Sequence, residues 1–272
     1  MKTGEKIIAA RKALGLTQQQ VADELDVSYQ AVSLWERGDS LPDTRNLLSL
    51  SRVLEVPVDD LLSEEDPPAW ELRSPTFSAE HMYTFVKAKA QALGLTQTLA
   101  ALPLMREKHA GQIRDGIAVV PYATHPLTLA CHALAMGLTD DDVIATALLH
   151  DVIEDTDTRP EELPVNERVR EAVCLVSYNT YEGEKDDIKP IYYGNIQKNP
   201  LAALIKCIDR CNNLSCMADG FDKPKMRKYV IQTEQYVLPL LDVIKDVPEY
   251  NNAAWLLRYQ MMALLETFKR LL

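Results

Sequence analysis

The run Leu148-Leu149-His150-Asp151-Val152-Ile153-Glu154-Asp155-Thr156 sets the tightest limit on how this chain can fold. It follows the apolar stretch 143–149 and places four ionisable groups directly behind it. His150 and Glu154 are four apart, as are Asp151 and Asp155, so on a single helix the two pairs share a face. Four such groups held against a core are costly to desolvate without a counter-charge. A divalent cation would supply one. A helix end with its acids in solvent is the alternative, and these residues alone leave both readings open.

With 272 residues the chain has material for two domains and a sizeable core. Apolar residues make up 47%, aromatics 7%, and there are 10 glycines, a balance that suits a mainly helical protein. No apolar run is long enough to span a bilayer and no signal peptide opens the sequence. The expected location is the cytoplasm, with no membrane partner. The five cysteines are odd in number and form no CxxC pair, so they are expected to be reduced and mostly buried. Cys207, Cys211 and Cys216 lie close together but lack a fourth ligand at zinc spacing.

Net charge is −11. Residues 1–62 hold seven basic and ten acidic residues (−3), and the remainder 22 and 30 (−8). Neither part attracts nucleic acid by bulk charge, so any DNA contact must come from a local surface and a dimer.

The spacing predicts short helices over 1–62. Thr17 caps a helix over 18–25, Asp26-Val27 turns the chain, and Ser28 caps a second helix to about Arg37, which Gly38 ends. Further starts fall at Leu41-Pro42-Asp43-Thr44 and Val56-Pro57-Val58-Asp59. Ile7, Leu14, Val21, Leu25, Val32, Trp35, Leu47, Leu50 and Leu54 recur at helical spacing as the expected core. Residues 63–77 form an acidic, proline-broken linker. Beyond it, helices are expected over 77–93, 95–114, 127–136, 140–151, 167–177, 200–217, 223–244 and 253–272. The tyrosine-rich stretch 179–199 is expected as a loop or short helices. The expected class is all-α: a five-helix N-terminal domain, then a helical bundle over 78–272.

The segment from Leu16-Thr17-Gln18 through Val32-x-x-Trp35-Glu36-x-Gly38 to the closing Leu-x-Val-Pro-x-Asp-x-Leu-Leu resembles a Cro/repressor-type (XRE) helix-turn-helix over residues 3–62. The resemblance implies that the helix from Ser28 enters the major groove of double-stranded DNA. Ser28, Tyr29, Gln30 and Ser33 would face bases, and Gln18 a phosphate or base edge. Such modules act as dimers on two half-sites, so a homodimer or larger assembly is expected. A partner or dimerisation role without an operator is the bland alternative.

Three further segments accompany the opening run: His109-Ala-Gly-Gln-Ile-Arg114, Pro121-Tyr-Ala-Thr-His125-Pro126, and Lys206-Cys-Ile-Asp209-Arg210-Cys-Asn-Asn213. The order His…His-Asp…Asp is that of an HD-type site, and two imidazoles with two carboxylates suit Mn²⁺ or Fe²⁺ better than structural zinc. Together the four motifs resemble the hydrolase domain of RelA/SpoT homologues, over roughly residues 78–245, in the plan of small stand-alone alarmone hydrolases. The resemblance implies Mn²⁺-dependent removal of the 3′-pyrophosphate of (p)ppGpp, giving GDP or GTP and pyrophosphate. It implies His125, His150, Asp151 and Asp209 as metal ligands, and Glu154 and Asp155 as the pair that orients and deprotonates water. Arg114 would stack on the purine, Asn213 would touch the ribose, and Tyr229 would lie against the substrate.

The chain departs from that family in its nucleotide pocket. Ile117-Ala118-Val119-Val120 is inserted after Arg114, Asp115 replaces a basic residue, and Asn212 stands where long members carry histidine. Base and phosphate pattern therefore stay open, with (p)ppApp, NADPH or another 3′-phosphorylated nucleotide as alternatives. No synthetase domain follows, so only degradation is expected. A nucleotide-sensing regulator and an antitoxin-like repressor are the rival readings.

Overall fold

A computed structural model describes residues 3–54, 56, 58–62, 78–114 and 120–272, and the chain divides into two compact units, Met1–Ser74 and Pro75–Leu272. The expected linker at 63–77 lies outside the described residues, as do Asp115 and the first three inserted residues, 117–119. Among the described residues there is no strand, only an isolated bridge between Ile113 and Pro121. No described helix is long and apolar enough to cross a membrane.

The first unit contains α1 (Thr3–Ala13), α2 (Gln18–Leu25), α3 (Tyr29–Arg37), α4 (Thr44–Val53) and α5 (Val58–Leu62). Local signals place their ends. The Thr17 hydroxyl accepts from the Gln20 N–H while the Gln20 side chain accepts from the Thr17 N–H, a reciprocal cap. Ser28 and Asp43 cap α3 and α4 in one direction only, their side chains accepting from the Ala31 and Asn46 N–H groups, and Gly38 ends α3 at φ 76°, which suits glycine. Ile7, Val21, Val32 and Leu50 are fully buried in the core. Leu14, expected there, is 42% exposed. It lies just past α1 in the turn toward Gly15 (φ 68°), so the helical spacing that placed it inward no longer applies. At Gly4 a Cβ would stand 2.5 Å from the Glu36 carbonyl oxygen, so α1 can close on the end of α3 only with glycine there.

The second unit contains α6 (Ala79–Leu93), α7 (Thr96–Lys108), α8 (Thr124–Ala135), α9 (Asp141–Leu149), α10 (Val152–Asp155), α11 (Glu167–Val176), α12 (Lys185–Ile196), α13 (Pro200–Gly220), α14 (Lys223–Gln232), α15 (Leu240–Lys245) and α16 (Asn251–Leu271). Helix α9 is its axis: every residue from Asp142 to Leu149 is buried, and α7, α8, α11 and α13 pack around it. The free N–H groups opening α7 are met from α9, where the Asp141 carboxylate accepts from Gln97 N–H at 2.9 Å and Thr98 N–H at 2.8 Å. Leu148 is fully buried on this axis. Leu148→Ala is expected to destabilise the unit by about 2–5 kcal/mol, read as a lower urea midpoint. A loss below about 1 kcal/mol would contradict the central packing of α9.

Three boundaries differ from the sequence expectation. Helix α7 ends at Lys108 rather than 114, because Gly111 at φ 77° turns the chain into the bridge with Pro121. The stretch 179–199 contains a twelve-residue helix, α12, that carries Pro190 internally. Tyr192, fully buried on α12, donates to the Val176 carbonyl at 2.6 Å and stacks on Tyr178 at 3.9 Å, so packing overrides the local breaker. The third difference is that the helix expected over 140–151 ends at Leu149, and Val152–Asp155 form a separate turn, α10, so the face that 150–155 would share on one helix is interrupted.

Candidate metal and nucleotide site

The break has a steric reason. Successive side chains on an α-helix point about 100° apart, so His150 and Asp151 could not meet on a straight rod. At the junction they do: His150 Nε2 lies 2.9 Å from Asp151 Oδ2. His125, in the first turn of α8, brings its Nε2 to 3.2 Å from His150 Nε2 and 3.5 Å from Asp151 Oδ2. Asp209, on α13, places Oδ1 at 3.3 Å from the same His125 nitrogen. All four expected ligands thus meet at one point, and ligand atoms of His125, His150 and Asp151 fall within 4.8 Å of one another.

Hydrogen-bond accounting shows what such a cluster needs. His150 Nδ1 lies 2.9 Å from the Ala147 carbonyl, which can only accept, so Nδ1 carries the proton. His125 Nδ1 lies 2.8 Å from Asn212 Oδ1, again an acceptor. Both Nε2 atoms then present lone pairs, and they face two carboxylates. Two imidazole nitrogens and two carboxylates converge in residues that are nearly all buried, and a divalent metal ion fits that donor set. Burial opposes charge on His150, but the adjacent Asp151 carboxylate more than offsets this, and its pKa lies above the ordinary value. Asp151 is held well below the usual carboxylate range: burial works against its charge, and His150 and His125 outweigh it. No cysteine belongs to this group among the described residues, and burial pushes the Cys207 and Cys211 thiols up, the latter to about 11.

Neighbouring groups hold the ligands in place. The Tyr122 hydroxyl donates to Asp151 Oδ2 at 2.7 Å. Lys206 donates to Asp209 Oδ2 at 3.0 Å and Asn213 donates to Oδ1 at 2.6 Å. His109, 2% exposed, stacks on Tyr122 and places Nδ1 at 2.7 Å from Gln112 Oε1. It is outside the ligand cluster.

The cluster forms the floor of a cavity of about 860 Å³. Seven basic side chains line it (Arg114, Lys185, Lys189, Lys206, Arg210, Lys225 and Lys228) beside seven carboxylates, and Lys185, Lys189, Lys206 and Lys228 are ion-paired to Glu154, Asp186, Asp209 and Asp186. Arg210 is buried, donates to Tyr193 Oη and Thr233 Oγ1, and packs 3.8 Å over the Tyr229 ring. Tyr229 therefore lines the cavity as an arginine platform. Arg114 donates to Asn213 Oδ1 at 2.5 Å and to Asn212 Oδ1 at 3.4 Å, so two of the expected substrate contacts are bonded to each other.

Glu154 and Asp155 both line the cavity but have different surroundings. Glu154 accepts from the Tyr178 N–H and from Lys185, each at 2.9 Å. Asp155 is exposed at the rim; its pKa is raised, first by partial withdrawal from water and then by the Asp151 and Glu154 charges, against the pull of the Tyr122 hydroxyl. The sequence reading gave no role to Lys206, Arg210 or Tyr122, although all three stand inside the quoted motifs. It also missed Lys185, which falls in the stretch expected as a loop.

In the first unit, Tyr29 (47% exposed) and Gln30 are open on α3. The Ser28 hydroxyl accepts from the Ala31 N–H, and Ser33 Oγ accepts from Arg37. Gln18 is drawn inward, donating to Glu36 Oε2 at 2.6 Å.

Fold and site together define a class: an all-helical unit of the HD type, preceded by a helix-turn-helix unit. A helix-turn-helix family model matches residues 7–61. Over 145 residues the chain is 32% identical to the guanosine-3′,5′-bis(diphosphate) 3′-pyrophosphohydrolase of Aquifex aeolicus, covering 52% of this chain and 20% of that protein. It is 31% identical over 142 residues to the Danio rerio enzyme of that name, MESH1, covering 48% of this chain and 77% of the relative. It is 47% identical over 64 residues to the HTH-type transcriptional regulator DicA of Escherichia coli, covering 23% of this chain and 47% of DicA. The chain belongs to the guanosine-3′,5′-bis(diphosphate) 3′-pyrophosphohydrolase family. It spans only a fifth of the Aquifex protein and about half of DicA.

Proposed function

We propose that this protein hydrolyses the 3′-pyrophosphate of (p)ppGpp-type alarmones and binds double-stranded DNA as a homodimer through α2 and α3. The observation that carries the hydrolase reading is the convergence of His125, His150, Asp151 and Asp209 on the floor of a cavity that also holds Arg114, Arg210 and Lys225. A polyanion needs a cation at the reacting phosphorus and basic groups beside it, and this lining can supply both.

His125, His150, Asp151 and Asp209 would hold the metal, with Mn²⁺ or Fe²⁺ favoured by the mixed nitrogen and oxygen set. When bound, such a cation neutralises phosphoryl oxygens and acidifies water. Asp155 accepts a proton from the attacking water at the rim, where partial withdrawal from water raises its pKa and so its basicity. Glu154, fixed by the Tyr178 amide and Lys185, orients that water. The water oxygen bonds to the phosphorus next to ribose O3′, the O3′–P bond breaks, and O3′ leaves with a proton as GDP or GTP. Lys206 and Arg210 sustain the positive field, Tyr229 and Asn213 flank the sugar, and Arg114 lies against the base. On the DNA side, Tyr29 and Gln30 are the open base-reading groups, with Ser28, Ser33 and Gln18 at the backbone or in support.

The test is purified chain with Mn²⁺ and separate samples of ppGpp, ppApp and NADPH, with products resolved by ion-exchange chromatography. GDP and pyrophosphate are expected from ppGpp. If all three nucleotides stay intact, the hydrolase reading is wrong; turnover of ppApp or NADPH alone would reassign the substrate.

A further inference from the structure

From the contacts of Asn212 we infer that this residue is a positioning group: its carboxamide oxygen fixes the tautomer and aim of the metal-binding His125 and ties that ligand to Arg114 of the nucleotide cleft. The inference rests on the proposed metal role of His125. Asn212 is on α13, three residues beyond Asp209. Its Oδ1 lies 2.8 Å from His125 Nδ1 and also receives Arg114 Nη1 at 3.4 Å. Asn213, next in sequence, accepts Arg114 Nη2 and donates to Asp209. The two asparagines therefore connect one guanidinium to two of the four ligands, His125 through Asn212 and Asp209 through Asn213.

Among the described residues, Asn212 Oδ1 is the partner found for His125 Nδ1. The far side of Asn212 lines a second cavity, of about 940 Å³, whose walls include Met82, Phe85, Cys131 and Leu264. The walls also carry Thr128, Ser215 and Gln260, whose side chains are bonded to the Thr124 carbonyl, the Cys211 carbonyl and Cys211 Sγ rather than to His125. With Asn212 present, Nδ1 keeps the proton and Nε2 keeps its lone pair toward the metal. Without it the ring can take the other tautomer, which closes Nε2 to a cation, or can rotate. Partners that orient a ligating imidazole in this way typically alter metal affinity about 10–100-fold. Leucine at 212 fills the space and excludes water; alanine leaves room for one water to accept from Nδ1; aspartate restores an acceptor oxygen.

The test uses the full chain and Mn²⁺ alone, with free Mn²⁺ counted by electron paramagnetic resonance and the His125 tautomer read from ¹⁵N chemical shifts of the imidazole in the metal-free protein. Asn212→Leu is expected to weaken Mn²⁺ binding about 10–100-fold, Asn212→Ala less, and Asn212→Asp to bind within about threefold of wild type. The Nδ1–H signature of His125 should persist in the aspartate variant and be lost in the leucine variant. A folded leucine variant that binds within about threefold of wild type overturns the inference. If leucine prevents folding, Asn212→Met, which also fills the space without presenting an oxygen, takes its place, and unchanged affinity with an unchanged tautomer in that variant overturns the inference. Because no nucleotide enters the assay, failure to hydrolyse ppGpp would sink the substrate reading and leave this result standing.

Discussion

Replacing His150 or Asp151 by alanine is expected to abolish turnover of ppGpp and to remove the rise in melting temperature that Mn²⁺ gives the wild-type protein. Both residues sit where α9 gives way to α10, and their ligand atoms lie 2.9 Å apart. His150 is anchored by the Ala147 carbonyl, so no rotation of a neighbour can supply a substitute nitrogen. With Mn²⁺ at a hundred times its dissociation constant, wild type should gain about 2.7 kcal/mol. In a domain of this size that is roughly 5–10 °C of melting temperature. Chelation with EDTA should return wild type to the metal-free value and leave His150→Ala where it was. The assignment of the centre fails if either variant keeps both the metal-dependent shift and activity within about tenfold of wild type.

The second large effect belongs to the first unit. Glu36→Ala is expected to unfold that unit and abolish DNA binding. Glu36 is 6% exposed and accepts from Arg11 Nε at 2.6 Å, from Arg11 Nη2 at 3.1 Å and from Gln18 at 2.6 Å. The Arg11 pKa is raised, chiefly by that hydrogen bond, and its guanidinium is 13% exposed. Deleting one partner of a buried pair leaves an uncompensated charge and costs about 3–5 kcal/mol. A unit of roughly sixty residues has little stability to spare against that loss. Hydrogen exchange read on α2 and α3 should show protection falling by about a hundredfold or more, since each 1.4 kcal/mol is a factor of ten. Full protection in the alanine variant would show that the pair is dispensable.

How much the sequence revealed depended on the range of the interaction that decided each feature. The Thr17, Ser28 and Asp43 caps and the Gly38 stop were legible because each is settled within four residues. The four residues that converge, His125, His150, Asp151 and Asp209, were legible as ordered motifs, since residue type and spacing mark them out. The break after Leu149 was not: it follows from two adjacent side chains having to reach one point shared with α8 and α13. Helix α12 was hidden by Pro190 and by the polarity of its solvent face, while its anchor, Tyr192, is buried by contacts with distant residues. Leu14 has the right spacing and residue type for the core, yet it falls beyond the end of its helix.

The interruption between α9 and α10 also separates two kinds of evolutionary freedom. His150 and Asp151 are attached to a rod buried along its whole length, so altering them disturbs the centre of the bundle. Glu154 and Asp155 belong to a single four-residue turn at the mouth of the cleft. Under the proposed function, mutations there would retune proton transfer, or the phosphate pattern that is accepted, at small cost in folding stability. A lineage carrying this scaffold can therefore change its substrate by revising the rim while inheriting the metal floor intact.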